Sequence, residues 1–406
     1  MREILKSKLV WIAALGYFVD LFDLVLYGVV RIPSLTSIGV PASEAFSVGA
    51  TLLNYQMGGM LVGGFIWGAI GDKRGRKEAL FGSILIYSLA TFLNAFVTDV
   101  NTYAILRFVA GFGLAGELGA AITLVSEALP QSKRGLGSAF IATIGFAGAA
   151  FSSFITQRMS WQHAYELGGI LGIVLLIARI SIHESSMFLS AKKKNAEVVW
   201  GSFKQIIFSK TRLKIFTYGL IAGIPIWYVT GILSYFAPEF ARGFRITGEV
   251  TAGTTIMVGY IGAMAGDICC GLTSQFLQSR KKAVLIFMSM GAFFAIASAF
   301  FLYDQSPFAF YFSRMVIGFG NGFFAMLIAW MAEVFGTNLR ATVAITISNL
   351  IRGSVIPLTF AIQFLKDKMG LINGSILIGL VCFGAAIIVS FFIPETFHKD
   401  LNYLDN

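Results

Sequence analysis

The chain has 406 residues, of which 56% are hydrophobic and only 13% charged, with a mean hydropathy of +0.77. Soluble proteins carry roughly 25% charged residues, so this composition excludes a soluble globular domain, and with it the disordered, collagenous and disulfide-scaffold classes. The net charge of +10 suits either a nucleic acid or a membrane surface, and the placement of the charges decides between them.

A helix needs about 20 apolar residues to cross a bilayer. Such runs recur twelve times, near residues 9–32, 45–70, 79–98, 101–127, 135–157, 162–183, 213–237, 250–275, 282–303, 307–334, 341–365 and 371–393. The first is too long for a signal-peptide core, lacks a small-residue cleavage site and holds two aspartates, so it reads as retained. An even number of spans puts both termini on one side. With that side cytoplasmic, the cytoplasmic segments carry 21 Lys and Arg against 6 in the external loops. This is the positive-inside bias, and it accounts for the basic balance without nucleic acid. The expected setting is a bacterial inner membrane, multi-pass, with both termini cytoplasmic and the lipid bilayer as partner.

The longest hydrophilic interval, 184–212, opens with Lys192, Lys193 and Lys194 and divides a first bundle (1–183) from a second (213–406). Its stretch from Val198 to Ile207 reads as a solvated, lysine-anchored linker or as a short interfacial helix. Cys269 and Cys270 are adjacent and Cys382 lies in another apolar run, so no disulfide framework or CxxC site exists. His163, His183 and His398 fall at loop edges, and neither HExxH nor GxSxG occurs. No metal, no cofactor and no enzymatic activity are therefore expected.

The two halves repeat. Arg107, Gly111 and Gly113 in span four, followed by Glu127 and Arg134, match Arg314, Gly318 and Gly320 in span ten, followed by Glu333 and Arg340. Gly71-Asp72-Lys73-Arg74-Gly75-Arg76-Lys77 after span two has a degraded copy, Ser274 to Lys281, after span eight. Duplication of six spans marks a two-bundle transporter with its site between the halves. The predicted fold is an all-α membrane protein of twelve transmembrane helices in two pseudo-symmetric six-helix bundles.

Charges at membrane depth cost about 2.5–3.5 kcal/mol at a span centre on insertion scales and mark function. Here they are Asp20, Asp23, Arg107, Glu117, Arg179, Asp267, Arg314 and Arg352. Asp20 and Asp23 share a face of span one, three residues apart. Burial and a nearby cation pull a carboxylate's proton affinity in opposite directions, the combination a proton carrier needs. Glu117, in a glycine-rich stretch of span four, reads as a proton relay or as a structural hydrogen-bonding group. Arg352, one turn after Asn349 and shortly before Pro357 in span eleven, suits bidentate capture of a carboxylate. The alternative is a structural pair with Asp267. Arg314 mirrors Arg107 without a mirrored acid, which makes it structural or substrate-facing. Arg179 near the end of span six reads as snorkelling. Tyr55, Gln56, Trp227, Tyr228, Asn321 and Trp330 are candidate lining residues or packing. GxxxG spacing at Gly59/Gly63 and Gly64/Gly68 indicates intramolecular helix packing, and a monomer is expected.

Gly71 to Lys77 resembles the G-D-x-x-G-R-[RK] signature of the major facilitator superfamily. Within it, the pattern Asp20 to Gly28, the stretch Gly113 to Ala120 and the run Glu127 to Gly135 are similar to the metabolite:proton symporters. Those carry osmolytes, citrate, α-ketoglutarate and shikimate. Pro394-Glu395-Thr396 and Glu184-Ser185 are sugar-porter-like marks. The sequence departs from these patterns at Ala110, Leu21, Ser186 and Gly336. The resemblance implies that Asp23 communicates with Arg107. It also implies a cytoplasmic lock of Asp72 and Arg76, with Glu127, Arg134, Glu184, Glu333 and Arg340 as further members. The reading is a symporter that imports a small polar metabolite, a carboxylate or zwitterion, with protons by alternating access. Alternatives are a sugar or polyol, a citrate-type chelate, or uncoupled facilitation.

Overall fold

The computed structural model describes residues 7–74, 76–117, 131–180, 203–336 and 339–399. The first half comprises α1 (Lys8–Ser37), α2 (Ala45–Lys73), α3 (Arg76–Asn94), α4 (Val100–Leu114), α5 (Gln131–Thr156) and α6 (Trp161–Arg179). The second opens with the short α7 (Phe203–Ile207), then α8 (Lys210–Trp227), which runs on as a π-helical stretch Tyr228–Ser234. It continues through α9 (Ala237–Gly243), α10 (Ala252–Leu277), α11 (Arg280–Phe301), α12 (Pro307–Gly320), α13 (Phe324–Val334), α14 (Arg340–Gly353), α15 (Val355–Met369) and α16 (Leu371–Ser390). Helical segments thus stand at all twelve expected spans. Among the described residues, eight helical stretches are long and apolar enough to cross a membrane, three of them joining consecutive segments: α8 with the π-helical stretch, α12 with α13, and α14 with α15.

Local sequence sets the boundaries. Ser7, Asp99, Ser160, Ser209, Thr251, Ser279 and Ser306 each cap a helix by accepting a backbone N–H of its first turn. Left-handed Gln278 (φ 52°) and Gly370 (φ 83°) end α10 and α15. Within α8, Pro225 removes a ladder donor and the π-helical stretch follows. Span eleven breaks between Gly353 and Val355, where Pro357 has no N–H to offer the Gly353 carbonyl. Span ten breaks at residues 321–323. Interrupted helices at depth free backbone groups for a site and are tolerated only where protein or a cavity surrounds them.

The duplication reappears as contact. A Cβ on Gly59 or Gly63 of α2 would run into the carbonyl oxygen of Phe108 or Phe112 of α4. Gly262 and Gly266 of α10 stand in the same relation to Met315 and Phe319 of α12. In return, Gly111 abuts the Gln56 carbonyl and Gly318 the Gly259 carbonyl. These glycines let backbones touch where no hydrophobic effect drives helices together.

The halves meet along α2 against α14 and α15, and along α5 and α1 against α10. By contrast α11 and α16 pack on helices of their own half. The short α7 is packed rather than solvated: Phe203 lies between the rings of Phe65 (5.2 Å) and Phe216 (5.6 Å), and Ile206 is buried. The aromatic stem of the segment finds apolar cover at the end of α2, which the composition of the linker alone does not reveal.

Candidate functional site

Helix α1 carries both aspartates to the centre, each fully buried. Asp20 faces the other half and pairs with Arg352 at 3.6 Å. Arg352 sits in the last turn of α14, directly before the break in span eleven. Asp267 does not pair with Arg352; its carboxylate takes the backbone N–H of Ala325 at the start of α13. The Asp20–Arg352 pair is loose. Neither Asp20 oxygen is hydrogen-bonded, and Arg352 Nε and Nη1 have no partner. More than nine in ten buried polar groups are ordinarily satisfied, so this concentration is unusual. Further buried atoms without a partner are both amide atoms of Gln56 and the Oδ1 atoms of Asn321 and of Asn349, one turn before Arg352. Asn349 donates from Nδ2 across the interface to the Ala115 carbonyl (3.0 Å), whereas Asn321 donates within the second half to the Ile226 carbonyl (3.2 Å). Tyr17 and Tyr260 lie in the combined field of Asp20 and Arg352. Neither tyrosine stood out in the sequence, although Tyr17 precedes Asp20 by three residues and so shares its face.

Asp23 and Arg107 lie within each other's field but are not bonded. Thr91 Oγ1 donates to Asp23 (2.7 Å), while Arg107 Nε donates to Asn94 Oδ1 (3.1 Å) and its guanidinium covers Tyr165 (4.9 Å). Tyr165, Tyr103 and Ser34 continue as a chain of hydroxyls at 2.5 and 3.1 Å. Each member of the pair thus has a neutral holding partner, an arrangement from which either can be released.

Glu117 forms a fully buried, bidentate ion pair with Arg179 of α6. Gly16 of α1 makes room for it, since a Cβ there would strike the Arg179 guanidinium. Arg179 therefore does not snorkel. The last turn of α6 faces Glu117, three residues after α4, and a carboxylate inside the bundle holds the guanidinium better than the long reach to water.

Other candidates lie elsewhere. Tyr55 is exposed on the face of α2 that also carries exposed Val62 and Ile66, away from the cluster. Trp227 is buried against Gly231, and the Tyr228 hydroxyl donates to the Ser375 carbonyl (2.8 Å). Trp330 donates to the Pro394 carbonyl (2.7 Å). Arg314 lies inside the second half, over the Phe310 ring (4.5 Å).

Of the residues read as a lock, Glu333 accepts from Arg280 (3.2 Å) and from Thr396 Oγ1 (2.7 Å). Arg340 donates to the Ala332 carbonyl (3.2 Å). These described contacts stay within the second half. Beside them, Glu395 accepts from the Ser279 hydroxyl and the backbone N–H groups of Arg280, Lys281 and Phe397. Burial pushes the Glu395 carboxyl up, but the Ser279 hydroxyl and the backbone donors outweigh it and hold it below the ordinary glutamate value. Glu127 and Glu184 lie outside the described residues, as do the side chains of Asp72, Arg76 and Arg134.

A contact absent from the sequence reading closes the opposite end. Arg31 of α1 donates to both oxygens of Glu239 of α9 (2.8 and 3.0 Å), to the Tyr235 carbonyl (3.3 Å) and to the Ala45 carbonyl (3.2 Å), and lies over Phe236 (4.6 Å). An arginine at a span end reads as an interfacial anchor, so pattern alone offers no sign of a latch between halves.

The Major Facilitator Superfamily description matches residues 13–359. The chain belongs to that superfamily. It is a multi-pass membrane transporter of small metabolites, not an enzyme. Among superfamily members it is 24% identical to the sialic acid transporter NanX of Escherichia coli (strain K12) over 402 residues, 97% of this chain and 96% of that one. It is 25% identical to the 3-(3-hydroxy-phenyl)propionate transporter of the same organism over 70% of this chain and 69% of that one. The 4-hydroxybenzoate transporter PcaK of Acinetobacter baylyi (strain ATCC 33305 / BD413 / ADP1) is 30% identical over 48% of this chain and 43% of its own. In fold it is similar to the proton:xylose symporter XylE bound to 6-bromo-6-deoxy-D-glucose, with a TM-score of 0.76 at 16% identity over 97% of both chains. Within the superfamily fold, the Asp20–Arg352 cluster sits where the two bundles face one another.

Proposed function

We propose that this transporter imports a small carboxylate or zwitterionic metabolite together with protons by alternating access. Both termini are cytoplasmic in this reading, and the Arg31–Glu239 latch closes the external end. One observation carries it: a buried, under-bonded acid–base pair spans the two halves, with Asp20 on one and Arg352 on the other. Arg352 offers the fork that a carboxylate fills. A substrate carboxylate that takes Arg352 leaves Asp20 without its cation, and a lone buried carboxylate takes up a proton rather than remain charged. Substrate and proton then load together. Asp23, released by Thr91 and drawn to Arg107, serves as the second proton group. The NanX, 3-(3-hydroxy-phenyl)propionate and PcaK carriers are named for carboxylic acids, which favours the same class here.

Reconstituted vesicles test the reading. Uptake of a carboxylate should alkalinise the outside, and Asp23→Asn should abolish that signal. Arg352→Lys and Arg352→Ala should weaken apparent carboxylate affinity at least tenfold. Unchanged affinity in both variants, or wild-type uptake without proton movement, refutes the mechanism.

A further inference from the structure

The central cluster leaves one buried cation unanswered. Arg314 is 3% exposed; among the described residues no carboxylate pairs with it, and its buried Nε has no hydrogen-bond partner. Its mate in the duplication, Arg107, has the charge of Asp23 nearby and the Asn94 carbonyl in hand. In the second half, span seven presents the neutral phenol of Tyr228 in place of an acid. Stacking on Phe310 (4.5 Å) and on the more distant Phe240 (6.0 Å) supplies only part of what a desolvated guanidinium lacks.

A cavity of about 20 Å³ opens beside Arg314 between the π-helical stretch after α8, α9, α11, α12 and α16. That is room for one body the size of a water molecule. Its polar wall is the Tyr228, Ser298 and Ser375 hydroxyls, with Phe240 and Phe244 closing it on the apolar side. The Tyr228 hydroxyl donates to the Ser375 carbonyl (2.8 Å) and Ser298 to the Ala295 carbonyl (2.8 Å), so the proton that can turn inward is that of the Ser375 hydroxyl, 2.9 Å from Tyr228. Because α11 and α16 pack on their own half, the cavity lies off the interface where the metabolite is read. A space of about 20 Å³ suits a single ion better than a metabolite.

We propose that this intrabundle cavity binds a single monatomic anion, with chloride as its chemical type. Arg314 supplies the positive charge, and the Ser375 hydroxyl, turned from Tyr228, supplies a donor. The ion completes the second bundle as Asp23 completes the first, and the site is independent of the transported substrate.

The test uses purified full-length protein with chloride titrated against gluconate at constant ionic strength. Chloride should raise Tm saturably by about 2 °C or more, and bromide should give one anomalous peak beside Arg314 in crystals. Arg314→Gln should remove the chloride dependence. Ser375→Ala, which keeps the cation, should raise the half-saturating concentration severalfold and remains informative if Arg314→Gln does not fold. A chloride response equal to gluconate's, a response that persists in Arg314→Gln, a bromide peak elsewhere, or competitive displacement of chloride by a transported carboxylate overturns the proposal.

Discussion

Replacing Glu239 by glutamine should open the external end. In wild type, Arg31 is 1% exposed and gives two bonds to Glu239, which is itself 11% exposed. Removing one partner of a fully buried ion pair costs about 3–5 kcal/mol, and an exposed pair is worth about 1 kcal/mol or less. Glutamine keeps one acceptor, and the Tyr235 and Ala45 carbonyls remain on Arg31, so the closed state should lose about 2 kcal/mol. That shifts the closed-to-open ratio roughly 30-fold. Because the contact joins α1 of one half to α9 of the other, the loss falls on the closed state and spares each bundle. Spin labels at Ser37 and Glu249, on a background lacking Cys269, Cys270 and Cys382, should report a longer-distance population by pulsed dipolar spectroscopy. A distribution identical to wild type would falsify the latch, and so would a change confined to the end that carries the chain termini.

Breaking the Glu117–Arg179 pair from one side, by Glu117→Gln or Arg179→Met, should destabilise the protein by about 3–5 kcal/mol. The double variant should recover much of that in thermal unfolding, and additive losses would show the pair is not coupled. Gly59→Ala and Gly262→Ala should each lower Tm by a similar amount, since each places a methyl group against a carbonyl of the facing helix; an unchanged Tm for either denies the close approach. Glu395 tests the sign of a titration. Its folded value lies below the unfolded one, near 4.3, so its stabilisation is complete above about pH 5 and fades as pH falls through the folded value. Glu395→Gln should therefore lower Tm at pH 7 and converge with wild type in acid; a deficit that grows on acidification contradicts the clasp.

Hydropathy, the distribution of Lys and Arg, and the Arg107/Arg314 repeat are properties of short stretches, and each span must satisfy its own backbone in lipid. For that reason the twelve helical positions, the duplication and the glycine packing faces were legible one segment at a time. The break ahead of Pro357 was legible too, because proline acts on its own helix. What a buried charge meets depends on how each helix is rotated and on which half it faces, and no local pattern encodes either. Arg352 could equally have sought Asp267, Arg179 could have reached for water, and Arg31 could have anchored at the surface. Only tertiary packing, between the bundles for Arg352 and Arg31 and within one bundle for Arg179, gave these arginines Asp20, Glu239 and Glu117, and left Arg314 without an acid.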